Sequence, residues 1–208
     1  MQAESVRAIL AGRKTQTRRA YKPRNPEPWE LPPGEGYKDD GTSWPMYQDT
    51  YGDFHPVRCP YGAPGDRLWV REAWRPWFDE SEYAVVQYRA DGATRKPEGL
   101  DVATGWNFAH ECDDATDESP WRSPLFMPRW ASRLTLEVVE VRVQRVQDIS
   151  GEDAVAEGAA GFGGLQVPKV AFAAGWDSLN AKRGFPWASN PWVWAVTFKR
   201  VEMAHVST

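Results

Sequence analysis

Residues 133–147 read Arg133-Leu134-Thr135-Leu136-Glu137-Val138-Val139-Glu140-Val141-Arg142-Val143-Gln144-Arg145-Val146-Gln147. Leu134, Leu136 and Val138 share one face of an extended chain, and Val139, Val141 and Val143 share the other. Strand side chains repeat with period 2, so the switch at Val138–Val139 predicts a bulge or sharp bend within one long strand. A long strand that changes its buried face in mid-course suits a small barrel.

Downstream, Ser150-Gly151-Glu152-Asp153 has the pattern of a capping box opening a short helix through Ala156, with Gly158 placed to end it. Phe172, Trp176 and Leu179 line one side of a helix over 172–179. Trp192, Trp194, Val196 and Phe198 alternate along a last strand over 192–201. Upstream, Pro64-Gly65-Asp66 is a turn that feeds a strand over 68–72, and 83–89 is a further strand. Near the start, Val6, Ile9 and Leu10 predict a helix capped at Ser5 and ended by Gly12. This order gives an α+β fold: a compact, mostly antiparallel sheet curled into a small β-barrel with flanking helices.

The chain has 208 residues, a formal net charge of -4 and 41% apolar residues, which describes one globular domain over 1–208. No apolar run is long enough for a membrane span, and the first ten residues lack the apolar stretch of a signal peptide. Two cysteines make no disulfide framework. The expectation is a cytoplasmic protein with no membrane partner. Mild acidity argues against a globally basic nucleic-acid binder, yet residues 13–24 hold six basic residues and no acid. Residues 20–64 hold nine Pro and five Gly along with eight Tyr, Trp or Phe. That density of aromatics argues for an ordered, irregular insertion, with mobile parts near 39–43. Residues 91–124 read as a polar loop whose acids, Glu111, Asp113, Asp114, Asp117 and Glu118, face solvent.

Gly12-Arg13-Lys14-Thr15-Gln16-Thr17-Arg18-Arg19 resembles the signature of the ASCH domain, a branch of the PUA-like superfamily. The stretch from Pro64 to Glu72, Met127-Pro128-Arg129-Trp130, Asp148-Ile149 through Glu157-Gly158, and Asn190-Pro191-Trp192-Val193-Trp194 are similar to further blocks of its phage-encoded form, often labelled morphogenetic. In that form a short strand precedes the first helix, and a His commonly precedes Met-Pro-Arg-Trp; here the position is Phe126. The resemblance implies a PUA-like barrel whose cleft handles RNA or a modified nucleobase. Some small ASCH proteins remove the acetyl group from N4-acetylcytidine. By motif position their reactive Lys, Thr and Glu fall on Lys14, Thr17 and Glu157, and the closing Arg on Arg19.

Amide hydrolysis needs a nucleophile, a base and a donor for the developing oxyanion. Thr17 offers a hydroxyl, Lys14 a base if its cationic neighbours lower its pKa, and Glu157 a proton shuttle or orienter. In a regular strand, however, residues 14 and 17 point to opposite faces, so they converge only across a turn or bulge. A binding-only reading gives Arg13, Lys14, Arg18 and Arg19 to phosphates, and Trp69 or Trp130, with Arg71, Arg129 and Arg133 beside them, to stacked bases. Trp192 and Trp194 read as core. Further readings are a metal-independent ribonuclease and a protein-interaction role in phage assembly. His55, Cys59, His110 and Cys112 make a weaker zinc set. No cofactor is expected; the partner is a modified nucleoside or RNA, and the oligomeric state is open.

Overall fold

The computed structural model describes residues 1–21, 37–39, 42–44, 46–48, 54–78, 83–97, 100, 102–113, 120–159 and 167–201. Its helices are α1 (Ala3–Leu10), α2 (Val102–Asp113), α3 (Gly151–Ala156) and α4 (Pro168–Asn180). Its strands are β1 (Gln16–Ala20), β2 (Tyr37–Asp39), β3 (Thr42–Trp44), β4 (Met46–Gln48), β5 (Phe54–Pro56), β6 (Arg67–Trp69), β7 (Trp74–Phe78), β8 (Ala84–Tyr88), β9 (Thr94–Arg95), β10 (Thr135–Arg145) and β11 (Trp192–Val201). The class is α+β with a curled antiparallel sheet forming a half-barrel. Among the described residues, no helix is long and apolar enough to cross a membrane. The chain divides into two compact units, one of residues 1–11, 69–136 and 200–208, the other of 12–68 and 137–199.

The second unit is built on a sheet of order β1-β11-β10-β6. β10 runs unbroken through the quoted stretch, and its burial changes phase there: Leu136 and Val138 are buried, Val139 and Glu140 are exposed, and Val141 is buried again. The Gly-Asp turn docks at the switch. Gly65, at φ +91°, donates its N–H to Val138 O, and Val138 N–H returns to Asp66 O. A left-handed φ at that position favours glycine. β11 is buried on both faces from Val193 to Val196. Trp194 and Val196 pack with Val138, Val141 and Cys59, whereas Val193 packs with Ala154 of α3 and with Ala171, Phe172 and Trp176 of α4. Central position explains why all four neighbouring residues are apolar or small.

Before β11, Asn190 holds a left-handed backbone, φ +44°, and its side-chain oxygen accepts from Gln147 N–H at 3.0 Å. Asn190→Ala is expected to cost about 1–2 kcal/mol, because alanine pays the left-handed strain and the Gln147 bond is lost. A urea denaturation midpoint measures it; an unchanged midpoint would contradict the assignment.

The first unit pairs α1 with a β7-β8-β9 meander, α2 and the turns that follow it. Trp74, Val86, Tyr88, Phe108, Cys112, Met127 and Ala131 form its core. Buried among these elements, Glu72 accepts from Arg133 Nε at 2.9 Å and Nη2 at 2.8 Å, and Arg133 also binds Asp91 and lies 4.0 Å from the Tyr88 ring. Burial pushes the Tyr88 phenol up to about 12, only partly countered by Arg95 and Arg133.

Three sequence expectations change. The first helix begins at Ala3 with Gln2 as N-cap, so Ser5 lies inside it rather than capping it. The 91–124 stretch is not simply a loop: it contains β9 and the twelve-residue α2. Phe108 and Cys112, four apart, are buried on that helix. Asp114, Asp117 and Glu118 lie outside the described residues. The 20–64 insertion holds two short hairpins, β2-β3 and β4-β5. Of the segment expected to be mobile, residues 40 and 41 lie outside the described residues.

Candidate active site

The site forms where α3 meets the start of β1. Ser150 caps α3 by accepting from Asp153 N–H at 3.0 Å, and Glu157 occupies the C-cap before Gly158 turns the chain at φ +81°. Asp153 and Glu157, four residues apart, project from one face of this short helix and repel each other. Cations must therefore stand opposite. Thr15 N–H bonds Ala156 O at 2.8 Å and Thr15 O accepts from Phe198 N–H at 2.8 Å, which holds the lead into β1 against both α3 and β11. With Thr15 so fixed, Lys14, Gln16 and Arg18 all turn inward, at 7%, 3% and 5% exposure.

Lys14 Nζ donates to Glu157 Oε2 at 2.9 Å and to the Glu157 backbone oxygen at 2.7 Å. Arg18 Nη1 donates to Glu157 Oε1 at 3.2 Å and to Gln16 Oε1, while its Nη2 donates to Asp153 Oδ2 at 2.6 Å. Gln16 Nε2 reaches Asp153 Oδ1 and Thr197 Oγ1, both at 3.2 Å. Arg142 of β10 adds a second guanidinium to Asp153 at 3.2 Å. Three cations thus face two carboxylates. The Arg18 guanidinium sits 5.8 Å from the Phe172 ring centroid, and its buried Nε has no hydrogen-bond partner among the described residues.

Burial alone would raise the Asp153 carboxyl, but the Arg18 hydrogen bond and the charges of Arg18 and Arg142 pull it below its ordinary value. A folded-state value below the unfolded one stabilises the fold above the unfolded value of about 3.9, and that stability is lost as pH falls through the folded value. The denaturation midpoint of the wild type is expected to drop on acidification below about pH 4 more steeply than that of Asp153→Asn. Parallel pH curves would contradict the pairing. Ser150→Ala is expected to cost about 1 kcal/mol of stability through the lost cap, read as a shift in denaturation midpoint. A midpoint equal to that of the wild type would contradict the cap.

Of the residues expected in the site, the structure brings together Lys14, Arg18 and Glu157. It places Thr17 and Arg19 on the other face of β1. Thr17 is registered with Val196 and Arg19 with Trp194, residues of the opposite core, whereas Arg18 is registered with Ala195. Thr17 is half-buried, Arg19 is exposed, and Arg13 is exposed ahead of the strand. The guanidinium that meets Glu157 belongs to Arg18, not to the motif's closing Arg19. The sequence reading also missed Gln16, Arg142 and the pairing role of Asp153. The i,i+4 spacing of Asp153 and Glu157 was the available signal.

In the first unit, Trp69 lies 4.5 Å from the Arg71 guanidinium and 5.9 Å from that of Arg129, and Arg71 also donates to Leu125 O. Leu125 and Phe126 are 67% and 72% exposed. Trp130 instead packs edge-on against Trp74 and Phe108, and Arg133 is taken up by Glu72 and Asp91. Cys59 is buried with Val138 and Trp194, and burial pushes its thiol up to about 11. Cys112 is buried in the core of the first unit, His110 is exposed on α2, and the side chain of His55 lies outside the described residues. Among the described residues, no group of three or more His, Cys, Asp or Glu is placed to hold a metal ion. Comparison of the chain with family models, with curated proteins and with solved structures finds no match.

Proposed function

We propose that the protein is a PUA-like, nucleobase-directed amidohydrolase that removes the acyl group from N4-acetylcytidine or a related modified cytidine. The observation that carries this reading is the Lys14–Glu157 pair: 2.9 Å apart, both side chains nearly buried, and drawn from positions 143 residues apart. An ammonium has three donors, and Lys14 spends two on Glu157, leaving one for a substrate carbonyl oxygen. Each oxygen of Glu157 accepts one charged donor and keeps a lone-pair site for a water.

The division of labour follows from those valences. Glu157 takes a proton from water as its oxygen attacks the acetyl carbon. Lys14 holds the oxyanion that forms. The proton on Glu157 then passes to N4 of the base as the C–N bond breaks, releasing acetate and the cytosine amino group. Thr17, on the far side of β1, takes no part, and no acyl-threonine forms. The test is intact-protein mass spectrometry during turnover, with acetate and cytidine counted as products. Equimolar products and no acetyl adduct are expected; an adduct mapped to Thr17 would overturn the water route.

A second reading, nucleic-acid binding without chemistry, is favoured by the Trp69–Arg71–Arg129 stack beside exposed Phe126. On that reading Arg129→Ala weakens binding of a single-stranded RNA and lowers the slope of log affinity against log salt by about 0.7. An unchanged slope would remove it.

A further inference from the structure

We propose that Arg18 is the positioning residue of this site: it holds the Glu157 carboxylate by Oε1 and so fixes which lone pairs of Glu157 face the attacking water. The inference rests on the amidohydrolase reading and adds to it a residue outside the Gly-x-Lys-x-x-Thr-x-Arg pattern.

The geometry assigns the role. Lys14 approaches one oxygen of Glu157 and Arg18 the other, so the carboxylate plane is held at both ends. Lys14 alone would leave the group free to rotate about its terminal torsion, which has broad wells. Arg18 is itself locked. Asp153 takes Nη2 at 2.6 Å, Gln16 takes Nη1, Phe172 lies beneath the guanidinium, and its side chain is 0% exposed. A planar fork can bridge Asp153 and Glu157 at once; the compact ammonium of lysine meets one acceptor direction at a time. Arg18 therefore couples the placement of Glu157 to β1, while the helix end alone would leave it on a single fraying turn.

Steady-state kinetics on N4-acetylcytidine with wild type, Arg18→Lys and Lys199→Gln test this. Arg18→Lys keeps the buried charge and so protects the fold. It is expected to lower kcat by about a hundredfold with KM changed less than about threefold, since small misplacements of a reacting group carry costs of that size. Lys199→Gln removes an exposed cation that pairs with Glu137 and touches neither Asp153 nor Glu157, and is expected to leave kcat within about twofold. A folded Arg18→Lys protein with wild-type kcat, or one that loses only KM, would overturn the proposal.

A readout independent of turnover separates this from the reaction itself. The Lys14 ammonium proton signal, seen by 15N-edited NMR, should persist in the wild type and broaden away in Arg18→Lys as Glu157 loosens. If the wild type turns over no substrate, the reaction falls. Loss of the signal in Arg18→Lys would then support the positioning of Glu157 by Arg18, and its persistence would overturn it.

Discussion

Lys14→Met and Glu157→Gln are each expected to lower turnover of N4-acetylcytidine by at least about a hundredfold, the ordinary scale for a lost acid-base or oxyanion group, while Thr17→Val stays within about threefold of wild type. The contrast is sharp because the three residues come from one motif-based expectation and only the geometry separates them. Gln16 and Arg18 bond Asp153 and Glu157 on one face of β1, so the residue between them points to the other. Thr17 faces the side of Val196 and Trp194. Val replaces Thr there with nearly the same shape. Kinetics of the three purified variants, with folds checked by circular dichroism, measure this. A dead Thr17→Val beside active Lys14→Met would reverse the assignment.

Arg133→Ala is expected to destabilise the protein by about 3–5 kcal/mol, because it strands a buried carboxylate. Glu72 has a side chain 2% exposed, and both of its oxygens bind Arg133. Asp91, the other partner, is 31% exposed and can return to water. Removing both members of the buried pair, as Arg133→Leu with Glu72→Leu, is expected to recover much of the loss, since no unpaired charge remains inside. Urea denaturation of the single and double variants gives the numbers. A loss under about 1 kcal/mol for Arg133→Ala would mean that Glu72 is reached by water.

Much of the fold was legible where local pattern and burial agree. A change of phase is present in the burial of β10, though it falls between Val138 and Val141 with Val139 exposed, and β11 occupies 192–201 as its alternation suggested. The Ser150 cap and Gly158 bound α3 as read, which set Glu157 at a helix end before any contact was known. α2 was hidden because Gly105 and scattered polar residues interrupt the pattern to which Phe108 and Cys112 belong. β7 was hidden by Pro76 in its middle, a residue that ordinarily argues against a strand.

The site was legible in its members more than in its geometry. Residues 13–19 alternate as any strand does, and either face is polar enough to have met α3. Which face does so is decided by tertiary contact: Thr15 binds Ala156 and Phe198, and that fixes Lys14, Gln16 and Arg18 inward. Resemblance named Lys14 and Glu157. It passed over Arg18, whose place between Asp153 and Glu157 depends on residues more than 130 positions away.

The most direct measurement is the ultraviolet change on conversion of N4-acetylcytidine to cytidine by the wild-type protein, run in parallel with an acetylated RNA. Turnover of either, absent from a Glu157→Gln preparation made in the same way, is the expected result. A folded wild-type protein that leaves both substrates intact would contradict the account and reduce the Lys14–Glu157 pair to a clamp between α3 and β1.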